Sequence, residues 1–383
     1  MIDYKWKSGL VKTDADSNKK RCFVSKVFLS VLARYGFVEV DLPSLDYADA
    51  YIINNELFTA QNHFKSIAPN GEVLSLGDDI VKGLISFSFT DMEGKGKLCA
   101  KKDAYSFIDG FEGKSYEYQT GGVVFGTNGL EDEADILLCA LDTVKALQMK
   151  EYKLVVGNTD IFMGVLGTFA GAETSLTRLR AILKGEMRSD FDYATAQTLS
   201  SIRNTEGSSV VIKELAQKLD NKTSIDGLVN LFEVMNILEA YEATENVIIS
   251  PGYVGVEKYD KGIVFEIRSA SGKTIAYGGR CDCKKGQDDF HGIYIKLNAE
   301  NALEEAVKNG LLKENEGKKV LIAVAETRAA ITKANKVRRD LMNENFICDI
   351  IYNATEETLY DKMSKYQDRM VIYVDGEGNI VHS

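Results

Sequence analysis

The segment Tyr259 to Asp282, YDKGIVFEIRSASGKTIAYGGRCD, constrains the fold more than any other stretch of this 383-residue chain. Ile263 to Ile267 is a β-branched and aromatic run, and Ser269 to Lys273 is rich in turn formers. Thr274 to Tyr277 then leads into the corner Gly278-Gly279-Arg280. β-Branched and aromatic side chains suit a pleated, half-buried surface, so two such runs around a short polar turn predict a β-hairpin.

The chain before it alternates helix and strand signals. Phe23, Val24, Val27, Phe28, Val31, Leu32 and Tyr35 recur at helical spacing between Asp14 and Tyr35, with Asp16 or Ser17 as N-cap and Gly36 as the stop. An alternating strand, Val38 to Leu42, closed by Pro43, follows. VLSLGDDIV (Val73 to Val81) reads as a strand ending in two aspartates, and Lys97 to Gly126 as two strands around a glycine-containing turn. Glu131 to Met149 is an amphipathic helix with acidic residues in its first turn, which suits the helix dipole. Tyr152 to Val156 is a strand and Asp160 to Gly171 a glycine-containing stretch. From Ala172 to about Tyr241 the periodicity is helical, with Leu215, Leu219, Leu228, Leu231, Phe232, Met235, Leu238 and Tyr241 facing inward. Charged Lys313 to Lys319 marks a boundary. Beyond it, strands at Val320–Ala325, Ile347–Tyr352 and Met370–Val374 alternate with helices at Arg328–Asn343 and Glu356–Tyr366, the pattern of a small α/β unit with a largely parallel sheet.

Lys and Arg total 46 against 57 Asp and Glu, a net charge of −11 that repels phosphate backbones unless a locally basic face is present. No apolar run is long enough to span a membrane and the N-terminal MIDYKWKSGL lacks a signal-peptide core, so a cytoplasmic protein is expected. The six cysteines have no disulfide-framework spacing; Cys281 and Cys283 alone cluster, and with three histidines in the chain they read as buried or incidental thiols rather than a metal site. Neither a GxGxxG turn after a strand nor a Walker A sequence occurs, and no cofactor is expected.

Tyr259-Asp260-Lys261-Gly262-Ile263-Val264-Phe265-Glu266 and Gly278-Gly279-Arg280-Cys281-Asp282 resemble the Tyr-Tyr-x-Gly-x-x-Phe-Glu and Gly-Gly-Arg-Tyr-Asp segments of histidyl-tRNA synthetases. The resemblance extends in order along residues 20 to 310. Helix, Tyr35-Gly36-Phe37, strand and Asp41-Leu42-Pro43 are similar to motif 1 of class II aminoacyl-tRNA synthetases, and Tyr118, Gln119 and Gly121 fit the second strand of motif 2. Phe290 to Val307 resembles motif 3, Gly-Phe-Ala-x-Gly-x-x-Arg, with Gly292 at its first glycine.

What the resemblance implies is an α+β fold: a class II antiparallel sheet flanked by helices over residues 1–312, with a helical insertion at 172–241. A small α/β domain at 318–383 would correspond to a truncated anticodon-binding domain. It implies a homodimer through the motif 1 helix and strand, and a histidine-like pocket lined by Asp79, Gln119, Gly121, Tyr259, Gly278, Gly279 and Arg280, with Asp79 where the family's carboxylate receives the α-amino group. The family's adenylation arginines, however, fall at Ser106, Gly255 and Ala299, and its imidazole-reading acid falls at Val123. A serine, a glycine and an alanine cannot supply the fixed cations that adenylate formation requires.

A synthetase-like chain without that machinery resembles the regulatory subunits of ATP phosphoribosyltransferase. That family implies no catalytic residues of its own, a short-form catalytic subunit as partner in a hetero-octamer, histidine as effector, and no tRNA or membrane. The alternatives are a degenerate paralogue acting as a dimeric binding module and a divergent histidine–tRNA ligase.

Overall fold

The computed structural model describes residues 15–47, 64–91, 94–105, 116–127, 129–169, 193–257, 259–285, 288–311, 319–344, 346–355 and 369–382. The chain divides into two compact units, Met1–Leu311 and Leu312–Ser383.

An eight-stranded sheet organises the first unit. Its strands are β1 (Val38–Glu39), β5 (Gly96–Tyr105), β6 (Tyr116–Phe125), β7 (Tyr152–Asn158), β8 (Val247–Ile249), β9 (Ile263–Ser269), β10 (Thr274–Arg280) and β13 (Gly292–Leu297). They lie in the order β1-β5-β6-β13-β10-β9-β7-β8. The six central strands are antiparallel, and each edge strand, β1 on β5 and β8 on β7, is parallel to its neighbour. The hairpin read from the sequence is β9–β10, three places in from one edge. Two small sheets accompany it: β2 (Leu45–Tyr47), β4 (Val73–Leu76) and β3 (Lys65–Ile67) in that order, and β11 (Cys283–Lys285) with β12 (Asp288–Phe290).

Alternation along β6 assigns the two faces of the large sheet. A Cβ at Gly122 would meet Phe37 and Leu32, whereas one at Gly121 would meet Ile80. One face therefore carries α1 (Ala15–Arg34), whose Val24, Phe28, Val31 and Leu32 are buried, together with α3 (Leu130–Ala146). The opposite face carries α2 (Ile80–Asp91), whose Ile80, Val81, Leu84 and Ile85 pack on Leu98, Ala100, Val123 and Phe125.

Several elements differ from the sequence reading. Val38 to Pro43 forms only the two-residue β1; Val40 N–H still donates to Cys99 O at 2.9 Å, and Pro43 has no N–H to continue the ladder. Ile80 to Asp91 and Thr159 to Phe169 (α4) are helices where a strand end and a glycine-containing stretch were read. Both are short and more apolar than α3, and a short apolar run does not tell a helix from a strand by its period. The helical region continues with α5 (Tyr193–Arg203), α6 (Val210–Ala216) and α7 (Lys222–Ala240). There Leu215, Leu219, Leu228, Leu231, Met235 and Leu238 are buried as expected, but Phe232 and Tyr241 are 37% and 65% exposed. The portion of the helical insertion at 172–192 and the boundary residues 313–318 lie outside the described residues. Motif 3 is β13 followed by α8 (Ala299–Lys308).

The second unit contains β14 (Lys319–Val324), α9 (Arg328–Asn343), β15 (Ile347–Tyr352), β16 (Met370–Val374) and β17 (Ile380–His382), with sheet order β15-β14-β16-β17. β14 is parallel to both neighbours, as the strand and helix alternation requires, and β17, not read from the sequence, closes the sheet antiparallel. The helix read at Glu356–Tyr366 lies outside the described residues. Among the described residues no helix is long and apolar enough to cross a membrane.

Candidate functional site

The α2 face of the sheet presents two rows of side chains across neighbouring strands. Gly121, Lys296 and Tyr277 are paired across β6, β13 and β10, and one step along, Val123, Tyr294 and Gly279 are paired in the same way. Gln119 precedes Gly121 on the same face of β6. The loop Gly77 to Asp79 and the start of α2 cover the first row.

Asp79 caps α2: its Oδ1 accepts the Lys82 backbone N–H at 3.0 Å. The carboxylate is buried, with the Tyr259 hydroxyl 3.3 Å from both of its oxygens. Its Oδ2 accepts from Lys296 Nζ at 2.8 Å, and the same ammonium donates to Glu257 Oε1 at 2.8 Å. The Tyr277 hydroxyl donates to Glu257 Oε1 at 3.0 Å, and the Lys296 ammonium stands 5.5 Å from the centre of the Tyr277 ring. Gln119 Oε1 accepts the Ile80 N–H at 2.8 Å while its Nε2 donates to Glu117 Oε2 at 3.0 Å, tying the helix start to β6. Gly121 lets β6, β13 and the start of α2 approach closely, since a Cβ there would lie 3.0 Å from Ile295 O and 3.1 Å from Ile80 Cγ2.

Electrostatics here are those of a buried ion pair. Burial pushes the Asp79 carboxyl upward, but Lys296 and Lys82 outweigh it and hold the group down at about 2. For Lys296 burial acts downward and is outweighed by Asp79 and Glu257, which hold the ammonium well above its ordinary value. Burial, with the Asp79 charge added, holds the Tyr259 hydroxyl protonated well above its ordinary value, so it serves as a donor.

Asp79, Gln119, Gly121 and Tyr259 stand together at the start of α2. Arg280 does not join them. It lies on the opposite face, where Nη1 donates to Glu133 Oε1 of α3 at 2.9 Å, Nε to Asp282 Oδ2 at 2.9 Å and Nη2 to Thr127 O at 3.1 Å. β-Strand alternation from Tyr277 requires this, because three residues reverse the face. Gly278 and Gly279 sit on β10 where a Cβ would strike Tyr294 O and Val264 Cγ1, so their place in the structure is close strand packing. Cys281 is buried beside Tyr259 and Tyr294, and Cys283 opens β11.

Ser106 lies outside the described residues, and Ala299 is the buried first residue of α8. Gly255 has φ +72°, and a Cβ on it would lie 2.1 Å from Asp260 Oδ2. That carboxylate is fixed by the Tyr294 hydroxyl (2.6 Å to Oδ1) and the Glu257 N–H (2.8 Å to Oδ2).

Lys296, Tyr294, Glu257 and Tyr277 were missed as site residues. The signal for two of them was present: on the register that sets Ala299 at the motif 3 arginine, Lys296 stands at the second glycine and Tyr294 at the alanine. Tyr294 is fully buried and packs edge-on against Tyr259, ring centroids 5.2 Å apart. Among the described residues no group of three or more His, Cys, Asp and Glu side chains is placed to hold a metal ion.

A six-stranded antiparallel centre with parallel edges, and a carboxylate-capped helix over one face, defines a protein of the class II aminoacyl-tRNA synthetase fold. Residues 10–287 match the family described as Histidyl-tRNA synthetase, and the chain belongs to that family. Among solved structures it is similar to an ATP phosphoribosyltransferase regulatory subunit/histidyl-tRNA synthetase from Bacillus halodurans, with TM-score 0.77, 17% identity and 97% and 98% of the two chains covered. It is also similar to histidyl-tRNA synthetase from Nostoc sp. PCC 7120, with TM-score 0.73, 14% identity and 99% and 96% covered. Curated relatives include the ATP phosphoribosyltransferase regulatory subunits of Thermoanaerobacter pseudethanolicus (25% identical, 68% of this chain and 71% of the relative) and Caldanaerobacter subterraneus (24% identical, 82% and 86%).

Proposed function

We propose that this chain is a non-catalytic regulatory subunit of ATP phosphoribosyltransferase. The observation that carries the proposal is the state of the site: a synthetase fold in which the nearest cation to Asp79 Oδ2 is the chain's own Lys296, bound to two carboxylates, and in which the backbone at Gly255 is closed against a side chain. Adenylate formation needs oriented positive charge on the nucleotide phosphates, and loss of even one such donor costs a factor of about 10²–10³. The names of the curated relatives support the same assignment.

The role brings with it a short-form catalytic subunit as partner, a hetero-octameric assembly, a cytoplasmic setting and histidine as the effector of the assembled enzyme. Pairing of two copies is assigned to α1 and β1, where Phe23 of the helix is 39% exposed and Val38 of the edge strand 60%. Asp79, Gln119, Gly121 and Tyr259 are assigned as the remnant of an amino-acid pocket, and Leu312–Ser383 as a truncated counterpart of the anticodon-binding domain. Regulation would be a coupling free energy between chains, of about 1–3 kcal/mol.

Co-expression with a short-form phosphoribosyltransferase from the same genome tests this. The two chains are expected to co-purify, and turnover of the catalytic subunit is expected to rise, with histidine inhibiting the assembly. A chain that forms dimers, captures no catalytic subunit and leaves turnover unchanged is instead a binding module.

A further inference from the structure

Lys296 is among the most enclosed charged side chains in the protein, 5% exposed, with two carboxylates and an aromatic ring around its ammonium. That surrounding is a receptor for a primary ammonium. Two oxygens accept charge-assisted hydrogen bonds, and the Tyr277 ring adds the attraction of its π face for a cation. The receptor is also built independently of the lysine. Asp79 is fixed by the Lys82 N–H and the Tyr259 hydroxyl, and Glu257 by the Tyr277 hydroxyl.

We propose that Lys296 is a tethered ligand: its ammonium occupies a primary-ammonium site formed by Asp79, Glu257 and Tyr277, closing it to free amino acids and amines. Tethering removes the translational entropy that a free ligand would lose on binding, so a diffusing amine competes against an effective concentration it cannot match. Free histidine therefore does not act on the assembly through this pocket. Shortening residue 296 converts the pocket into a site for small ligands that carry a primary ammonium on an unbranched stem.

The deleted portion of Lys296→Ala is n-propylammonium, which serves as the probe. It is expected to bind Lys296→Ala at least about tenfold more tightly than wild type and to raise that variant's thermal midpoint saturably. It should leave Lys296→Ala/Asp79→Asn unmoved, and tetramethylammonium at equal ionic strength should do nothing. Absence of any n-propylammonium effect on folded Lys296→Ala overturns the proposal, as does histidine binding to wild type that Asp79→Asn abolishes. Reductive methylation of native wild type, read by peptide mass spectrometry, covers a variant that fails to fold. Lys296 is expected to stay unmodified while Lys222, 86% exposed, is fully methylated; equal modification of the two contradicts the tether. Every measurement uses the chain by itself, so the outcome is separate from whether it activates a phosphoribosyltransferase.

Discussion

Lys296→Met is expected to cost about 3–5 kcal/mol of folding stability, read as a lower midpoint in urea unfolding at neutral pH. Methionine matches the length of the lysine stem, so little packing is lost. The loss comes from Asp79, left buried with a charge whose main neutralising partner is gone. Replacing both partners with Asp79→Asn/Lys296→Met is expected to recover part of the loss, because the more deeply buried of the two carboxylates no longer carries a charge, while Glu257, more exposed, keeps its hydrogen bond from the Tyr277 hydroxyl. The pH dependence carries the sign of the mechanism. In wild type the Asp79 carboxyl is depressed from 3.8 to about 2, so its contribution is present above about pH 4 and fades as pH falls toward 2. Lys296 is raised, so its contribution is present below its ordinary value of 10.5 and is lost only in stronger alkali. In the variant, burial favours protonation of Asp79, so the gap to wild type is expected to narrow as pH falls from about 4 to about 2. A gap that stays constant through that window would mean the loss is steric.

Gly255→Arg, which returns an arginine to the position where the resembled family has one, is expected to destabilise by roughly 2–5 kcal/mol. The backbone at φ +72° is poorly adopted by a residue with a Cβ, and the Cβ itself would displace Asp260 from the hydrogen bonds that Tyr294 and Glu257 give it. Urea unfolding checks the prediction. A variant as stable as wild type would show that the loop from Ser250 to Asp260 can rearrange, and with it the floor of the site.

Much of this fold is legible in the sequence where burial is one-sided. The β9–β10 hairpin, the long β5–β6 pair and the helix α3 announce themselves through alternation or helical spacing, and their order matches that of the histidyl-tRNA synthetase family. α2 and α4 were not legible because each is a short, largely apolar run, which a strand or a helix can equally account for. Phe232 and Tyr241 were placed inward by period alone, which assigns a stripe but cannot say where its edge meets water. The site was half legible. Asp79, Gln119, Gly121 and Tyr259 come from the resemblance to histidyl-tRNA synthetases and stand together at the start of α2, while strand alternation from Tyr277 carries Arg280 to the other face. Lys296 lies 217 positions from Asp79, and nothing local in the sequence couples the two. Only the substitution of a lysine for a motif 3 glycine pointed to it, and its meaning depends on knowing what stands across β6 and under α2.

Histidine-dependent exchange of labelled pyrophosphate into ATP tests the central claim most directly, since it reports amino-acid activation without tRNA or partner. No exchange above the protein-free rate is expected from wild type at any histidine concentration. Exchange that depends on histidine and disappears in Asp79→Asn would show that this pocket still admits and activates an amino acid, and would contradict a site held by its own lysine.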